Sequence, residues 1–453
     1  MQFELTREYI DEIKRVIEEK NEAEAIGLME ELHPADIAEI YDELSIDEAT
    51  FLYLLLDGDT AADVLAELEE DDRDRFVKTL PAEVVAKKFI DKMDSDDAAD
   101  VIGGLSDEKQ EEILSHIEDI EQAGDIVDLL HYDEDTAGGL MAKELVIVNE
   151  NWTVLTCLRE LSRQAEDIDE IYYVYVVDDD GILKGTLSLK KMILSPTSAK
   201  IINIYQPDAM SVHTDEEDEE VAHIMEKYDL VAIPVVDSIG RLMGRITIDD
   251  VVDVIRDEAE KDYQMASGLA EDVEASDSIW LQTRARLPWL IIGLIGGIFA
   301  AMVISVHEKG LEHTPKLAFF IPLITAMAGN VGVQSSAIIV QAIANNSLGF
   351  ESTFSRLLRE LGGALINGLT CSLLLFLSTY FLTDNSVALT LSISVALFAV
   401  IIFAAIAGTV IPLMLNKVKV DPAVATGPFI TTLNDIVGLF IYLSIGAYFL
   451  MSI

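Results

Sequence analysis

The chain is 453 residues long, half of them hydrophobic, and carries 81 acidic against 31 basic side chains, a formal net charge of −50. A surface this acidic repels nucleic acid, and two cysteines, Cys157 and Cys371, are too few for a disulfide framework and suit a reducing compartment. Residues before Leu287 sum to −49 and those from Leu287 onward to −1, so the two parts are built for different solvents.

The opening MQFELTREYIDEIKRVIEEK has an amphipathic helical pattern and no apolar h-region, which predicts that no signal peptide is cleaved and that the amino terminus stays inside. Up to about His131 the pattern predicts short helices with acidic caps. Ala35–Ile40 ahead of Leu44, Ala61–Val64 ahead of Leu68 and Ala98–Val101 ahead of Leu105 read as one helical unit used three times. Their spacing of 24 and then 37 residues is irregular, so residues 1–131 are expected to form a loose α-solenoid, an acidic helical N domain.

From about Ala137 strands enter. Ile171–Val177, the turn Asp178–Gly181 and Leu183–Leu189 predict a buried strand, a turn and a second strand leading into a helix. The phrase recurs as Leu230–Val236, Asp237–Arg241 and Leu242–Thr247, which makes a tandem α/β module over residues 132–200 and 201–255. The two copies resemble the CBS-domain pair, an intracellular sensor module, the second copy more closely through VAIPVVDSIGRLMGRITIDDVVDVI. Such pairs often bind adenine nucleotides through a Ser/Thr and an acid after the last strand. Here Ser188-Leu189-Lys190-Lys191 has lysine in place of that acid, so ATP at the CBS pair is left open and no nucleotide site is assigned.

Asp249–Glu260 begins a charged helical pattern that joins this module to the apolar part, with residues 256–283 expected as a long connecting helix. Five apolar stretches follow, roughly Pro288 to Val306, Leu317 to Ala344, Leu361 to Leu382, Val387 to Leu415 and Thr426 to Met451. Each approaches or exceeds the roughly 20 residues that a bilayer requires. Arg284, Arg286, Arg356, Arg359, Lys417 and Lys419 fall on one side and Lys309 and Lys316 on the other, which orients the amino terminus to the cytosol and the carboxyl terminus outside.

Asp435 is the only carboxylate inside the last apolar stretch. A carboxylate at the centre of a spanning helix costs about 2.5–3.5 kcal/mol on insertion scales, so the expected reading is that it faces a polar cavity or an ion path. The second stretch contains Pro322 and then Met327-Ala328-Gly329-Asn330-Val331-Gly332-Val333-Gln334-Ser335-Ser336. Two readings stand: a helix break that frees carbonyl oxygens toward a pore, which is favoured, or close helix packing through small residues. His307, Glu308, Glu312 and His313 read as a solvated outer loop without a ligand pattern.

The runs PLITAMAGNVGVQSS and TTLNDIVGLFIY, together with the order of the parts, resemble the MgtE family of magnesium channels over essentially the whole chain. The implied fold is multidomain: a superhelical α-helical N domain, a tandem α/β CBS pair, a long plug helix and an all-α transmembrane domain of five helices over 284–453. The resemblance implies a homodimer with the pore between subunits and Asp435 of each chain facing a hydrated Mg²⁺. Mg²⁺ gives up water reluctantly, so carboxylates with amide or carbonyl oxygens around its hydration shell suit it better than a dehydrating cage. The resemblance places Asn330, Asn434, Gly329, Gly332 and Gln334 beside Asp435 in the pore.

Acidic clusters at Glu216–Glu220, Asp229, Asp96, Asp97 and Asp100, and along Asp250, Asp253, Asp257, Glu258 and Asp262, read residue by residue as solvated faces. The resemblance assigns regulatory Mg²⁺ to Glu217, Glu219, Asp229, Asp250, Asp253, Glu258 and Asp262, and also to Asp96 and Asp100. Lys261 departs from this pattern, so that one bridging site is expected to be lost or shifted to Glu260. The expected function is Mg²⁺ uptake that cytosolic Mg²⁺ closes. There is no Walker loop, Ser-His-Asp arrangement or metal-hydrolase helix, so an enzyme is not expected. Two other classes remain: a coupled secondary transporter of Mg²⁺, Co²⁺ or Mn²⁺, and a membrane-anchored nucleotide sensor.

Overall fold

A computed structural model describes residues 5–164, 168, 171–270, 273, 277–344, 353–382, 386–425 and 427–451. The chain divides into two compact units, Met1–Arg256 and Asp257–Ile453.

The first unit opens with short helices: α1 (Arg7–Glu18), α2 (Glu22–Met29), α3 (Pro34–Ala38), α4 (Ile46–Leu55), α5 (Gly58–Ala66), α6 (Glu70–Thr79), α7 (Ala82–Lys88), α8 (Ser95–Gly103), α9 (Asp107–Leu114) and α10 (Ile120–Leu129). Local chemistry sets their starts. Ser45 and Glu48 form a reciprocal capping box on α4, and the Asp57 carboxylate accepts from the Thr60 N–H at the start of α5. Helices this short do not persist alone, so packing holds them. Ala61, Val64 and Leu65 of α5 are fully buried, and Tyr53, Phe76 and Phe89 meet edge to face with ring centroids 5.3 and 5.9 Å apart. Each large side chain so buried contributes roughly 1.5–3 kcal/mol.

The tandem module consists of β1 (Val146–Asn149), α11 (Val154–Gln164), β2 (Val174–Val177), β3 (Leu183–Leu187), α12 (Leu189–Ile193) and β4 (Gln206–Pro207), then β5 (Val212–His213), α13 (Asp218–Tyr228), β6 (Ala232–Val236), β7 (Leu242–Thr247) and α14 (Ile248–Ser267). One sheet has the order β1-β2-β3-β4 and the other β5-β6-β7. In both, the first pair is parallel and the second antiparallel, which is how the repeated phrase shows itself in three dimensions. Gly181 and Gly240 close the two matching turns with φ of +80° and +86°, a region that side chains with a Cβ rarely enter. The first module has its own core around Val148, Val176 and Leu187. The second shares one continuous core with the N-terminal helices, from Val101 and Ile126 through Met141 to Ile233 and Val251. That shared core fixes the acids of α8 against the start of α14.

The second unit contains the apolar helices α15 (Ile279–Val306), α16 (Glu308–His313), α17 (Ile321–Ala344), α18 (Thr353–Leu382), α19 (Val387–Lys417) and α20 (Gly427–Met451). Among the described residues, five helices are long and apolar enough to cross a membrane. Within the bundle α19 is central, with 61% of its most apolar window buried, whereas α15 is peripheral, with 6%.

Three expectations are corrected. The connecting segment is not one helix through residue 283. α14 ends at Ser267, where Gly268, with φ +85°, donates to Met265 O and Leu269 donates to Gln264 O, a glycine-terminated C-cap, and a new helix starts at Ile279. The favoured break in the second apolar stretch is absent as well, since α17 is a continuous helix. Pro322 lies in its first turn, where the missing N–H forfeits no helical bond. The glycines are instead points of close approach: a Cβ on Gly332 would stand 1.8 Å from Asn434 Nδ2, and one on Gly408 would stand 2.5 Å from Gly332 O. The His307–His313 segment is largely the short helix α16 rather than a loop.

Candidate functional site

Asp435 lies in α20, part exposed on the surface of the apolar unit. Its Oδ1 is 3.8 Å from the position a Cβ on Gly329 of α17 would take, and the glycine there makes room for Thr431, one turn before Asp435, whose Cγ2 would stand 2.9 Å from that Cβ. Next to Gly329 along α17, Asn330 and Gln334 are exposed, one turn apart and therefore on one face. Exposed amides and a carboxylate within an apolar bundle are tolerated only against protein or water. Asn434 points the other way. It is fully buried against Gly332 and Ile430, and neither atom of its side-chain amide has a partner among the described residues. Asn434 therefore does not share the surface of Asp435, because adjacent residues of a helix are turned about 100° apart. Ser335 Oγ donates to Glu360 Oε1 at 2.5 Å and ties α17 to α18.

In the first unit the packing of α8 against the start of α14 brings four acids together. Asp250 is pinned by its own helix start: its Oδ2 accepts from Thr247 N at 3.2 Å and from Thr247 Oγ1 at 2.7 Å. Burial, followed by repulsion from Asp250 and Asp97, pushes the Asp96 carboxyl well above its ordinary range. Burial and then repulsion from Asp250 and Asp100 push Asp97 up to about 7. Asp100 is exposed at the surface yet ringed by neighbouring protein, and the desolvation that follows raises it to about 6, against the pull of Arg73. Asp250 is raised to about 6, chiefly by burial. Carboxylates crowded in this way take up a proton or a cation to relieve the repulsion.

Sequence reasoning did not assign Asp94, Asp97 or Glu144. Carboxylate oxygens of Asp94, Asp96 and Glu144 lie within 4.8 Å of one another. Glu144 is oriented by Ser95, whose N–H and hydroxyl donate to its two oxygens at 3.2 and 2.8 Å. Asp97 carried a sequence signal, being the third acid of the Asp94–Asp97 run. Glu144 carried none, since 48 residues separate it from Asp96.

The remaining assigned acids are dispersed. Glu217 is the N-cap of α13 and Asp229 its C-cap, in the left-handed region with φ 52°. With Glu219 in the first turn, both ends of this helix are exposed and stand about 18 Å apart at 1.5 Å per residue, so one ion cannot join Glu217 to Asp229 of the same chain. Asp253 is exposed on α14. In the second unit Lys261 Nζ pairs with Glu258 Oε1 at 3.0 Å. Burial and then repulsion from Asp421 and Glu258 raise Asp262, so Asp421, in the turn before α20, is a further acid that sequence reasoning did not assign.

A five-span bundle with a part-exposed intramembrane carboxylate, joined to a carboxylate-rich unit with a CBS pair, defines the class of divalent cation transporters. Family models match accordingly: the MgtE divalent cation transporter over residues 321–445, the MgtE intracellular N domain over 32–135, and the CBS domain over 137–195 and 201–257. The chain is 34% identical to the magnesium transporter MgtE of Thermus thermophilus over 433 residues, which are 94% of this chain and 95% of the relative. It is 32% identical to the magnesium transporter MgtE of Bacillus subtilis, over 94% of both chains. Among solved structures, the cytosolic domain of the Mg²⁺ channel MgtE in complex with ATP matches with 35% identity and a TM-score of 0.51, over 54% of this chain and 99% of that one. The chain belongs to the MgtE family of magnesium transporters, a family of membrane transport proteins and not of enzymes.

Proposed function

We propose that this protein conducts Mg²⁺ across a membrane past Asp435, and that cytosolic Mg²⁺, bound by the acids of its soluble parts, closes the path. The observation that carries the reading is that Asp435 of α20 is part exposed on an otherwise apolar bundle, close to α17 at Gly329, and that α17 carries the exposed amides of Asn330 and Gln334 just beyond. Exposed polar groups at that depth call for a wet surface, which a second copy of the chain would enclose. The permeation site is therefore assigned to a homodimer in which Asp435, Asn330 and Gln334 meet hydrated Mg²⁺. Gly329 and Gly332 set the helix spacing, and Asn434 positions α20 from within. The distribution of Arg and Lys supports a cytosolic amino terminus, soluble unit and CBS pair, with the carboxyl terminus outside.

For closure, the crowding of Asp96, Asp97, Asp100 and Asp250 supplies one cation site. Glu217, Glu219, Asp229 and Asp253 are assigned to sites shared between chains, and Glu258 and Asp262 to a site with Asp421. Moving a gate from 1:99 to 99:1 takes about 5.5 kcal/mol of differential binding, which several weak carboxylate sites supply jointly. The relative whose cytosolic domain was crystallised in complex with ATP supports ATP binding to the soluble part of this chain, with the CBS pair as the proposed place, and equilibrium binding of ATP to the purified chain tests it.

Mg²⁺ flux into liposomes, with Mg²⁺ varied on the soluble-domain side, tests the whole reading. Asp435→Asn is expected to lower flux by at least about tenfold with assembly intact, the loss of one charge–ion interaction of about 1.4 kcal/mol or more. Asp250→Asn combined with Glu258→Gln is expected to stay open at high Mg²⁺. Undiminished flux in the first variant would refute the permeation site, and ordinary closure in the second the regulatory one.

A further inference from the structure

Where the end of α14 and the starts of α15 and α20 meet, the second unit holds a cavity of about 540 Å³ that involves none of the carboxylates described above. A volume of this size is in the range of small-molecule and cofactor sites. Its wall includes Gly268, Arg286, Trp289, Leu290, Gly293 and Pro428, with Arg286 the one charged residue lining it among the described residues. The indole N–H of Trp289 is buried and has no acceptor among the described residues. The cavity thus presents a cation that calls for an anionic acceptor, in walls that are otherwise largely apolar.

The cavity is continuous with a surface suited to hydrocarbon. Leu290 and Leu294, one turn apart on α15, are each 66% exposed, and Leu287 is 48% exposed. Trp289 and Arg286 lie at the start of the apolar run of α15, the level at which aromatic and cationic side chains mark a membrane interface. The space beside Gly293 is open, since a Cβ there would meet nothing within 4 Å. A free inorganic anion would satisfy Arg286 but leave the apolar wall wet, whereas an amphiphile satisfies both.

We propose that this cavity binds one anionic phospholipid, its phosphate received by Arg286 beside the Trp289 ring and an acyl chain laid along Leu290 and Leu294. Basic pockets at this level of a membrane protein recognise acidic headgroups by the same chemistry. The lipid would contact the turn at Gly268 that ends α14.

The full chain contains three tryptophans, so Trp152→Phe with Trp280→Phe leaves Trp289 as the sole indole reporter. In detergent micelles, phosphatidylglycerol brominated in its acyl chains is expected to quench Trp289 saturably at one lipid per chain. Brominated phosphatidylcholine is expected to need at least about tenfold more, as for the loss of one charge-assisted contact. Arg286→Gln should bring the two lipids together, and Gly293→Leu, which fills the cavity, should remove the saturable phase. Equal response to the two lipids, a preference that survives Gly293→Leu, or displacement by inorganic phosphate overturns the proposal. Absence of quenching by either lipid, the result if a second copy seals the cavity, overturns it too. Native mass spectrometry of phosphatidylglycerol retained by the wild type and by Arg286→Gln reads the same site without the tryptophan substitutions, and equal retention counts against it.

Discussion

Asp435 and Gly329 face one another across α20 and α17, with the carboxylate oxygen 3.8 Å from where a Cβ on the glycine would stand. The same Cβ would lie 2.9 Å from Thr431 Cγ2, one helical turn before Asp435. Adding a methyl group at Gly329 therefore pushes directly on the turn that carries the proposed ion-binding carboxylate. Gly329→Ala is expected to lower Mg²⁺ flux by about tenfold while changing stability by about 1–3 kcal/mol, the range for overpacking. Restoring room with Thr431→Ser should recover part of the flux. Liposome flux beside thermal unfolding of the same preparations separates these effects.

A stronger clash is available one turn further on. At Gly332 a Cβ would stand 1.8 Å from Asn434 Nδ2 and 2.7 Å from Ile430 Cγ2, so Gly332→Ala forces α17 away from α20. The expected outcome is a loss of about 1–3 kcal/mol or more, seen as a lower unfolding midpoint in detergent. Asn434→Ala in the same background should restore most of it, and no restoration would show that the two positions do not press on each other.

The crowded acids of the first unit predict an unusual pH dependence. Asp97 is raised to about 7 and Asp100 and Asp250 to about 6, all above the ordinary value of 3.8. A raised carboxyl pKa means that the folded state holds more protons than the unfolded chain, so stability falls as pH rises from about 4 through the folded values. The thermal midpoint of the first unit should drop between pH 5 and pH 8, by about 2–4 °C for each kcal/mol lost. Saturating Mg²⁺ should flatten the slope. A midpoint that rises over this interval in chelator would show that the acids are not held together.

Lys261 offers a test of the regulatory sites. Its ion pair with Glu258 is part exposed, so the pair itself contributes only about 0–1 kcal/mol. Lys261→Ala should scarcely change stability yet free Glu258 and remove a positive charge near Asp262. The Mg²⁺ concentration that half-closes the path should fall by about twofold to fivefold, the range of a coupling of this size. A shift toward higher Mg²⁺ would indicate that Lys261 assists closure.

Much of the architecture was legible in the sequence because its signals are local. A spanning helix announces itself by length and hydropathy, and the repeated phrase built around Asp178–Gly181 and Asp237–Arg241 carries its own turn chemistry. Glycine was less legible. In MAGNVGVQSS the same residues serve a broken helix or a tightly packed one, and the choice depends on whether Thr431, Asn434 and Gly408 stand opposite. The end of α14 was missed for a related reason, since the glycine at 268 ends a helix only when the backbone enters the left-handed region there.

Composition and periodicity by themselves determined that this chain has an acidic water-facing part and an apolar membrane-facing part, with one carboxylate in the last span. Only the tertiary structure decided that Asp435 reaches the surface while Asn434 is buried, and that Asp96, Asp97 and Asp100 meet Asp250. The reason is physical: helix formation and membrane partition sum over neighbouring residues, whereas the repulsion between two carboxylates 150 positions apart exists only once a shared core has folded them together.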